Sequence, residues 1–204
     1  MPESELAAAV GPARAARLAV RLKEAAKAFD REQYVEARRM LRPIAQEAPT
    51  AASVRELLGL SNYRLGRWKE AVRELDAFRE LTGSVEQHPV LADCHRALRH
   101  WREVETLWSE LRDASPSAPL VAEGRIVAAG ALADRDDLPA AIALLMASRR
   151  PRGAVHPHHL RVVYALADLR ERAGDVPGAR ELFAWVVARD RVFADAAERL
   201  AALD

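Results

Sequence analysis

A two-residue pattern recurs five times along this chain, at steps of 34, 33, 37 and 38 residues. Each occurrence places an apolar residue three positions ahead of a small one: Tyr34 and Ala37, Trp68 and Ala71, Trp101 and Val104, Leu138 and Ala141, Val176 and Ala179. A period near 34 residues with this pairing is typical of stacked helix-turn-helix units. One such unit cannot bury its own apolar face and is stable only against its neighbours. The spacing therefore predicts an all-α chain of about five helical hairpins.

The second unit holds the fullest version of the motif. Its residues run in the order Leu58-Gly59, Tyr63, Leu65-Gly66, Trp68, Glu70-Ala71-Val72 and Leu75. This order resembles the tetratricopeptide-repeat (TPR) signature. The other units carry parts of it, and the resemblance spans roughly residues 13 to 192. It implies a right-handed α-solenoid of about five TPR-like repeats, and the middle of the chain also resembles uncharacterised repeat proteins of high-GC bacteria.

The helical spacing and the turn residues place the elements. Residues 1–12 are predicted to be a tail or a short helix that Gly11-Pro12 interrupts, and residues 13–204 to be one TPR-like domain. Gly59 is expected to lie opposite Ala71, where small residues let two helices approach closely. Residues 193–203 are expected to form a C-terminal capping helix. The predicted helices cover about 3–10, 13–30, 33–47, 51–65, 67–81, 89–99, 101–114, 118–134, 137–148, 158–173, 177–189 and 193–203.

Charge and cysteine content limit the kinds of partner and the cellular compartment that we expect. The formal net charge is +1 over 204 residues, so no global field draws the chain to nucleic acid or to an anionic membrane. Cys94 is the single cysteine and cannot form an internal disulfide. No stretch approaches the roughly 18 apolar residues that a membrane span needs, and the N-terminus has no secretory signal pattern. We expect a cytoplasmic protein without membrane insertion.

Motifs for catalysis, cofactors and metals are missing from the sequence, so we expect no enzyme and no cofactor. Cys94-His95 could pair a thiolate with an imidazole, but adjacent helical residues point about 100° apart. The histidines at 156, 158 and 159 and the acidic run 134–137 could each hold a metal. We interpret the histidines as solvated loop and helix-start residues, and the acidic run as a helix N-cap.

The resemblance implies an interaction role. In TPR proteins the first helix of each repeat lines a concave groove that receives a peptide or a partner helix. Carried over unit by unit, it nominates as groove residues Leu22, Ala26, Phe29, Glu56, Leu60, Tyr63, Asp93, Arg96, Ile126, Gly130, Tyr164, Asp168 and Glu171. In one TPR subfamily, basic side chains at fixed groove positions grip the acidic C-terminus of the partner, an arrangement called a carboxylate clamp. Here the matching positions hold Leu22, Ala26, Leu60, Pro89 and Asp93, so we expect no such clamp. A partner with apolar anchors and some basic residues would fit better.

Two alternatives stay open. The segment 149–161 carries Arg149, Arg150, Arg152 and Arg161, which could contact RNA or another anionic partner. The apolar surface could instead support self-association, or the chain's own terminal segment could close the groove.

Overall fold

The computed structural model describes residues 2–147 and 153–203. Over these residues the chain is all-α, with twelve helices and no strand. The helices are α1 (Pro2–Val10), α2 (Pro12–Asp30), α3 (Tyr34–Glu47), α4 (Ala52–Arg64), α5 (Trp68–Thr82), α6 (His88–Ala97), α7 (Trp101–Ala114), α8 (Ala118–Ala133), α9 (Leu138–Met146), α10 (Pro157–Arg172), α11 (Val176–Val187) and α12 (Ala196–Ala202). The chain divides into an N-terminal unit, residues 1–103, and a C-terminal unit, residues 104–204. None of the described helices is both long and apolar enough to cross a membrane.

The recurring residue pair marks the second helix of every hairpin. Helices α3, α5, α7, α9 and α11 each begin at the first, apolar member of a pair. The second member is buried in all five cases: Ala37, Ala71, Val104, Ala141 and Ala179 are each at most 2% exposed. The periodic pattern therefore corresponds to five equivalent helix starts, as the sequence predicts.

The turns within the hairpins also repeat. Two residues before each of these helices, the backbone enters the left-handed region, with φ between 59° and 79°. The five residues are Glu32, Gly66, Arg99, Asp136 and Gly174. Glycine adopts this conformation without strain, whereas for other L-residues it costs about 1 kcal/mol or more. Three of the five turns are thus held in place by the packing of the helices that they join.

In the N-terminal unit, α2 pairs with α3 and α4 with α5, while α1 packs on α2 and against α4. The core includes fully buried Leu6 of α1, together with Leu41, Ile44 and Val54.

The small residue at the α4–α5 crossing packs against a large side chain that the sequence analysis did not name. A Cβ atom on Gly59 would lie 2.7 Å from Cγ and Cδ2 of Leu75 and 3.3 Å from its backbone nitrogen. Leu75 is 0% exposed. The space at Gly59 is therefore filled by Leu75, four residues after Ala71, because a large side chain inserts where the glycine lacks one.

In the C-terminal unit, α8 pairs with α9, α10 with α11, and α12 packs on α11. Phe183, Val186 and Leu182 are at the centre of its core. Phe193 and Leu200 pack against this core from the C-terminal segment, which caps it as predicted. Ala197, in α12, is exposed.

Candidate functional site

On the first helices of two hairpins in the N-terminal unit, the predicted groove residues continue a stripe that begins earlier in each helix. On α2, Leu22, Ala26 and Phe29 follow Ala15 and Leu18, which were not predicted, and on α4, Glu56, Leu60 and Tyr63 follow Ser53, which was not predicted either. Spacings of three and four residues place such positions on one side of a helix. The α2 stripe is buried as far as Leu22, whereas Ala26 and Phe29 are partly exposed. We call Leu22, Ala26, Phe29, Glu56, Leu60, Tyr63, Asp93 and Arg96 the unit-1 face.

Within this face, hydrogen bonds join α4 to α6 and to the residue just before α6. The Tyr63 hydroxyl donates to Oδ2 of Asp93 on α6 at 2.8 Å. Nε2 of Gln87 donates to Oε1 of Glu56 at 2.8 Å. Burial, followed by the charge and the hydrogen bond of Asp93, raises the pKa of Tyr63. Asp93 also lies 3.6 Å from Arg96. Both carboxylates of the face thus have partners within the chain, and its partly exposed apolar groups are Ala26, Phe29, Leu60 and the Tyr63 ring.

Helix α1 lies at the beginning of this face. The Glu5 carboxylate accepts a 2.8 Å hydrogen bond from the backbone N–H of Ser53, in the first turn of α4. A carboxylate is favourable there because the helix dipole is positive at its N-terminus. Leu6 of α1 is 0% exposed and shares a core cluster with Leu18 and Leu22. The chain's own first helix therefore occupies the early half of the stripe and leaves Ala26, Phe29, Leu60 and Tyr63 beyond it.

In the C-terminal unit, the predicted groove residues of α10 form an ion network with α12. Arg199 donates to Oδ1 of Asp168 at 2.9 Å and to Oε2 of Glu171 at 2.6 Å. Its guanidinium also lies 4.6 Å from the centre of the Phe183 ring. The Tyr164 hydroxyl bonds to Asp195, just before α12. The acidic side chains on α10 are thus neutralised by the chain itself. Ile126 and Gly130 are partly buried on α8, away from this network.

Two of these partners, Glu5 and Arg199, were absent from the sequence predictions. The sequence pattern gave no signal for either contact, because the bonded residues are 48 and 28 or more positions apart. In each unit a tyrosine-to-aspartate hydrogen bond joins the first helix of a hairpin to a segment beyond the next helix, through Tyr63 and Asp93 and through Tyr164 and Asp195.

The basic segment is only partly described. Arg149, Arg150 and Arg152 lie outside the described residues. Arg161 pairs with Glu123 at 2.9 Å. RNA or anionic-partner binding through residues 149–161 therefore stays a prediction, with one of its four arginines engaged within the chain.

The residues weighed for metal binding or nucleophilic chemistry have structural roles. Burial is the largest cause that raises the pKa of the Cys94 thiol, to about 12, so the thiol is protonated at neutral pH. Nδ1 of His159 accepts a 3.0 Å bond from the backbone N–H of His156 at the start of α10. The Asp137 carboxylate accepts a 3.1 Å bond from the N–H of Ala140 and caps α9, as predicted. Across residues 2–147 and 153–203, no group of three or more His, Cys, Asp or Glu side chains could hold a metal ion.

The buried side chain of His95 has a shifted pKa. His95 is 8% exposed, and its Nδ1 lies 3.2 Å from Nδ1 of His100. Burial is the main cause that lowers the pKa of His95, and the charge of His100 acts in the same direction. The charges of Asp76 and Glu103 oppose this shift without reversing it. His95 is therefore neutral in the folded protein at neutral pH.

Comparisons with known proteins give matches in structure but not in sequence. No protein-family model and no curated protein sequence matches the chain. A thermophilic TPR protein of Thermus thermophilus superposes with a TM-score of 0.64 and 17% identity, over 91% of this chain and 98% of that one. A Podosopora anserina protein with nearly identical TPR-like repeats, named for the kinesin light chain, gives 0.66 and 19%, over 84% and 94%. Pseudomonas aeruginosa pilF gives 0.57 and 15%, over 84% and 75%. At these identities the likeness concerns the fold alone, and that fold is the all-α architecture of the TPR solenoids.

Proposed function

We propose that this chain is a non-catalytic interaction scaffold and that the unit-1 face binds a partner helix or an extended peptide. One observation carries the proposal. The chain's own α1, a nine-residue helix, packs on α2 and against α4 at the beginning of this face. A short helix is therefore accommodated at the beginning of this face, and the later half of the face remains partly exposed.

The chemistry of the uncovered half defines the partner. Ala26, Phe29, Leu60 and the Tyr63 ring are partly exposed apolar groups. Glu56 and Asp93 already accept hydrogen bonds from Gln87 and Tyr63. Apolar anchors at helical spacing are therefore the main requirement on the partner, as in other complexes where a helix docks in a groove. Basic residues on the partner, which the sequence alone suggested, would contribute less to binding.

A charge placed in this half tests the proposal. The Leu60→Glu variant would put a carboxylate among apolar groups and should abolish partner capture from the native cell. Val35→Glu is the matched control, because Val35 is 69% exposed on α3 and lies outside the face. A partner that is captured by the wild type and by Val35→Glu, but not by Leu60→Glu, supports the proposal. Binding of that purified partner should then be measured by calorimetry against all three proteins.

Other outcomes would contradict the proposal. Equal capture by all three proteins, with circular dichroism showing that each is folded, would place the working surface elsewhere. Light scattering over a concentration series tests self-association, and a dimer disrupted by Leu60→Glu would assign the face to a second copy of the chain. A cytoplasmic location and a bacterial source are further parts of the proposal, and so is the action of residues 13–204 as one domain.

A further inference from the structure

A group of arginines lies around a cavity between the second helices of the N-terminal unit. Arg38 and Arg42 lie one turn apart on α3, and Arg73 lies on α5. The cavity has a volume of about 200 Å³ and is lined by these three arginines and by Leu58, Asn62 and Glu70. An adjoining cavity of about 390 Å³ shares Arg42, Leu58 and Arg73 with it. None of these residues belongs to the unit-1 face.

The acidic side chains near the two cavities already have arginine partners. Glu74 is 2% exposed and pairs with Arg55 at 2.6 Å and with Arg73 at 2.7 Å. Glu70 pairs with Arg67 at 2.9 Å. Five arginines therefore face two glutamates here, which leaves an excess of three positive charges.

Arg38 and Arg42 carry this excess most directly. In the part of the chain that the structure describes, neither has a carboxylate within ion-pair distance. Nε of Arg38 donates to Oδ1 of Asn62 at 2.8 Å, which orients the guanidinium and leaves its terminal nitrogens available. Burial, and next the charges of Arg67 and Arg42, lower the pKa of Arg38, and the charge of Glu70 opposes this shift without reversing it. Cations therefore outnumber carboxylates around this cavity.

We propose that Arg38, Arg42 and Arg73 form a binding pocket for a phosphoryl group. A guanidinium offers paired N–H donors that match two phosphate oxygens, and a phosphate dianion would offset most of the local excess charge. The three arginines come from two different helices, which suits a tetrahedral anion better than a planar carboxylate. Leu58, which is 3% exposed, supplies an apolar part of the lining.

The pocket can be tested with inorganic phosphate as the probe. Titration at constant ionic strength, followed by NMR of the arginine Nε–H groups and by calorimetry, should give saturable binding that shifts the Arg38 signal. The Arg42→Gln variant should bind about tenfold more weakly or worse, because a charge-assisted bond to phosphate is lost. Arg42 is exposed and has no ion pair within the described residues, so this variant should fold normally.

Arg39→Gln is the matched control. It removes the same charge from the same helix, but Arg39 pairs with Glu36 and does not line either cavity. Its affinity for phosphate should equal that of the wild type. A titration with O-phosphoserine separates a phosphorylated side chain from free phosphate, according to which binds more tightly. Equal binding of acetate, equal weakening by Arg39→Gln and Arg42→Gln, or no saturable binding to the wild type would each overturn the proposal.

Discussion

The contact between Gly59 and Leu75 allows a quantitative test of how the hairpins pack. An alanine at position 59 would bring its Cβ to 2.7 Å from two carbons of Leu75, which is well inside van der Waals contact. Overpacking of this kind costs about 1–3 kcal/mol. Replacing glycine by alanine within a helix gains about 1 kcal/mol in return. Gly59→Ala should therefore destabilise the wild type by about 1 kcal/mol.

The same substitution should have the opposite effect once Leu75 is shortened. Leu75→Ala alone should cost about 2–5 kcal/mol, because the side chain is fully buried. In that background Gly59→Ala loses the two 2.7 Å contacts and keeps only the 3.3 Å approach to the backbone nitrogen of residue 75, so it should stabilise by up to about 1 kcal/mol. The double-mutant cycle should thus show a coupling of up to about 2 kcal/mol, measured by urea unfolding followed by circular dichroism. Additive effects of the two substitutions would refute the assigned contact.

Two further predictions concern a turn and a buried histidine. Gly174 has a φ of 79° and no atom within 4 Å of an added Cβ, so Gly174→Ala should cost about 1 kcal/mol through the backbone alone. Gly174→Asn should cost less because asparagine tolerates this conformation, and equal urea midpoints for all three proteins would contradict the argument. The pKa of His95 is lower in the folded than in the unfolded protein, so protonation favours unfolding. The free energy of unfolding should fall more steeply for the wild type than for His95→Gln between about pH 7 and pH 5, and parallel pH profiles would exclude this role.

The helical architecture can be predicted from the sequence, because the residues that specify it lie close together along the chain and recur at a regular spacing. The recurring pair is enough to locate five second helices and their buried small residues. The left-handed turn conformation at Glu32, Arg99 and Asp136 could not be deduced from residue type, since none of these is glycine. It follows only from their position two residues before a helix start.

The candidate site was harder to predict from the sequence, because the residues that contact each other there are far apart along the chain. The unit-by-unit register places Leu60 and Tyr63 on one side of α4, as the structure does. The register carries no information on which segment covers that side. Glu5 and Ser53 are 48 residues apart, and their contact depends on how α1 turns back at Gly11. The contact of Gly59 with Leu75 was missed for a related reason, because the pattern of small residues does not specify which large side chain fills the gap.

The attachment of α1 to α2 through Gly11 alone has a consequence for binding selectivity. A segment tethered by a very short linker acts on a neighbouring surface at an effective concentration on the order of millimolar. Under the proposed function, an external ligand directed at Leu18 and Leu22 would have to displace this tethered helix, whereas a ligand that needs only Phe29, Leu60 and Tyr63 would not. The tether would thus select against weak ligands of the first kind and not against those of the second.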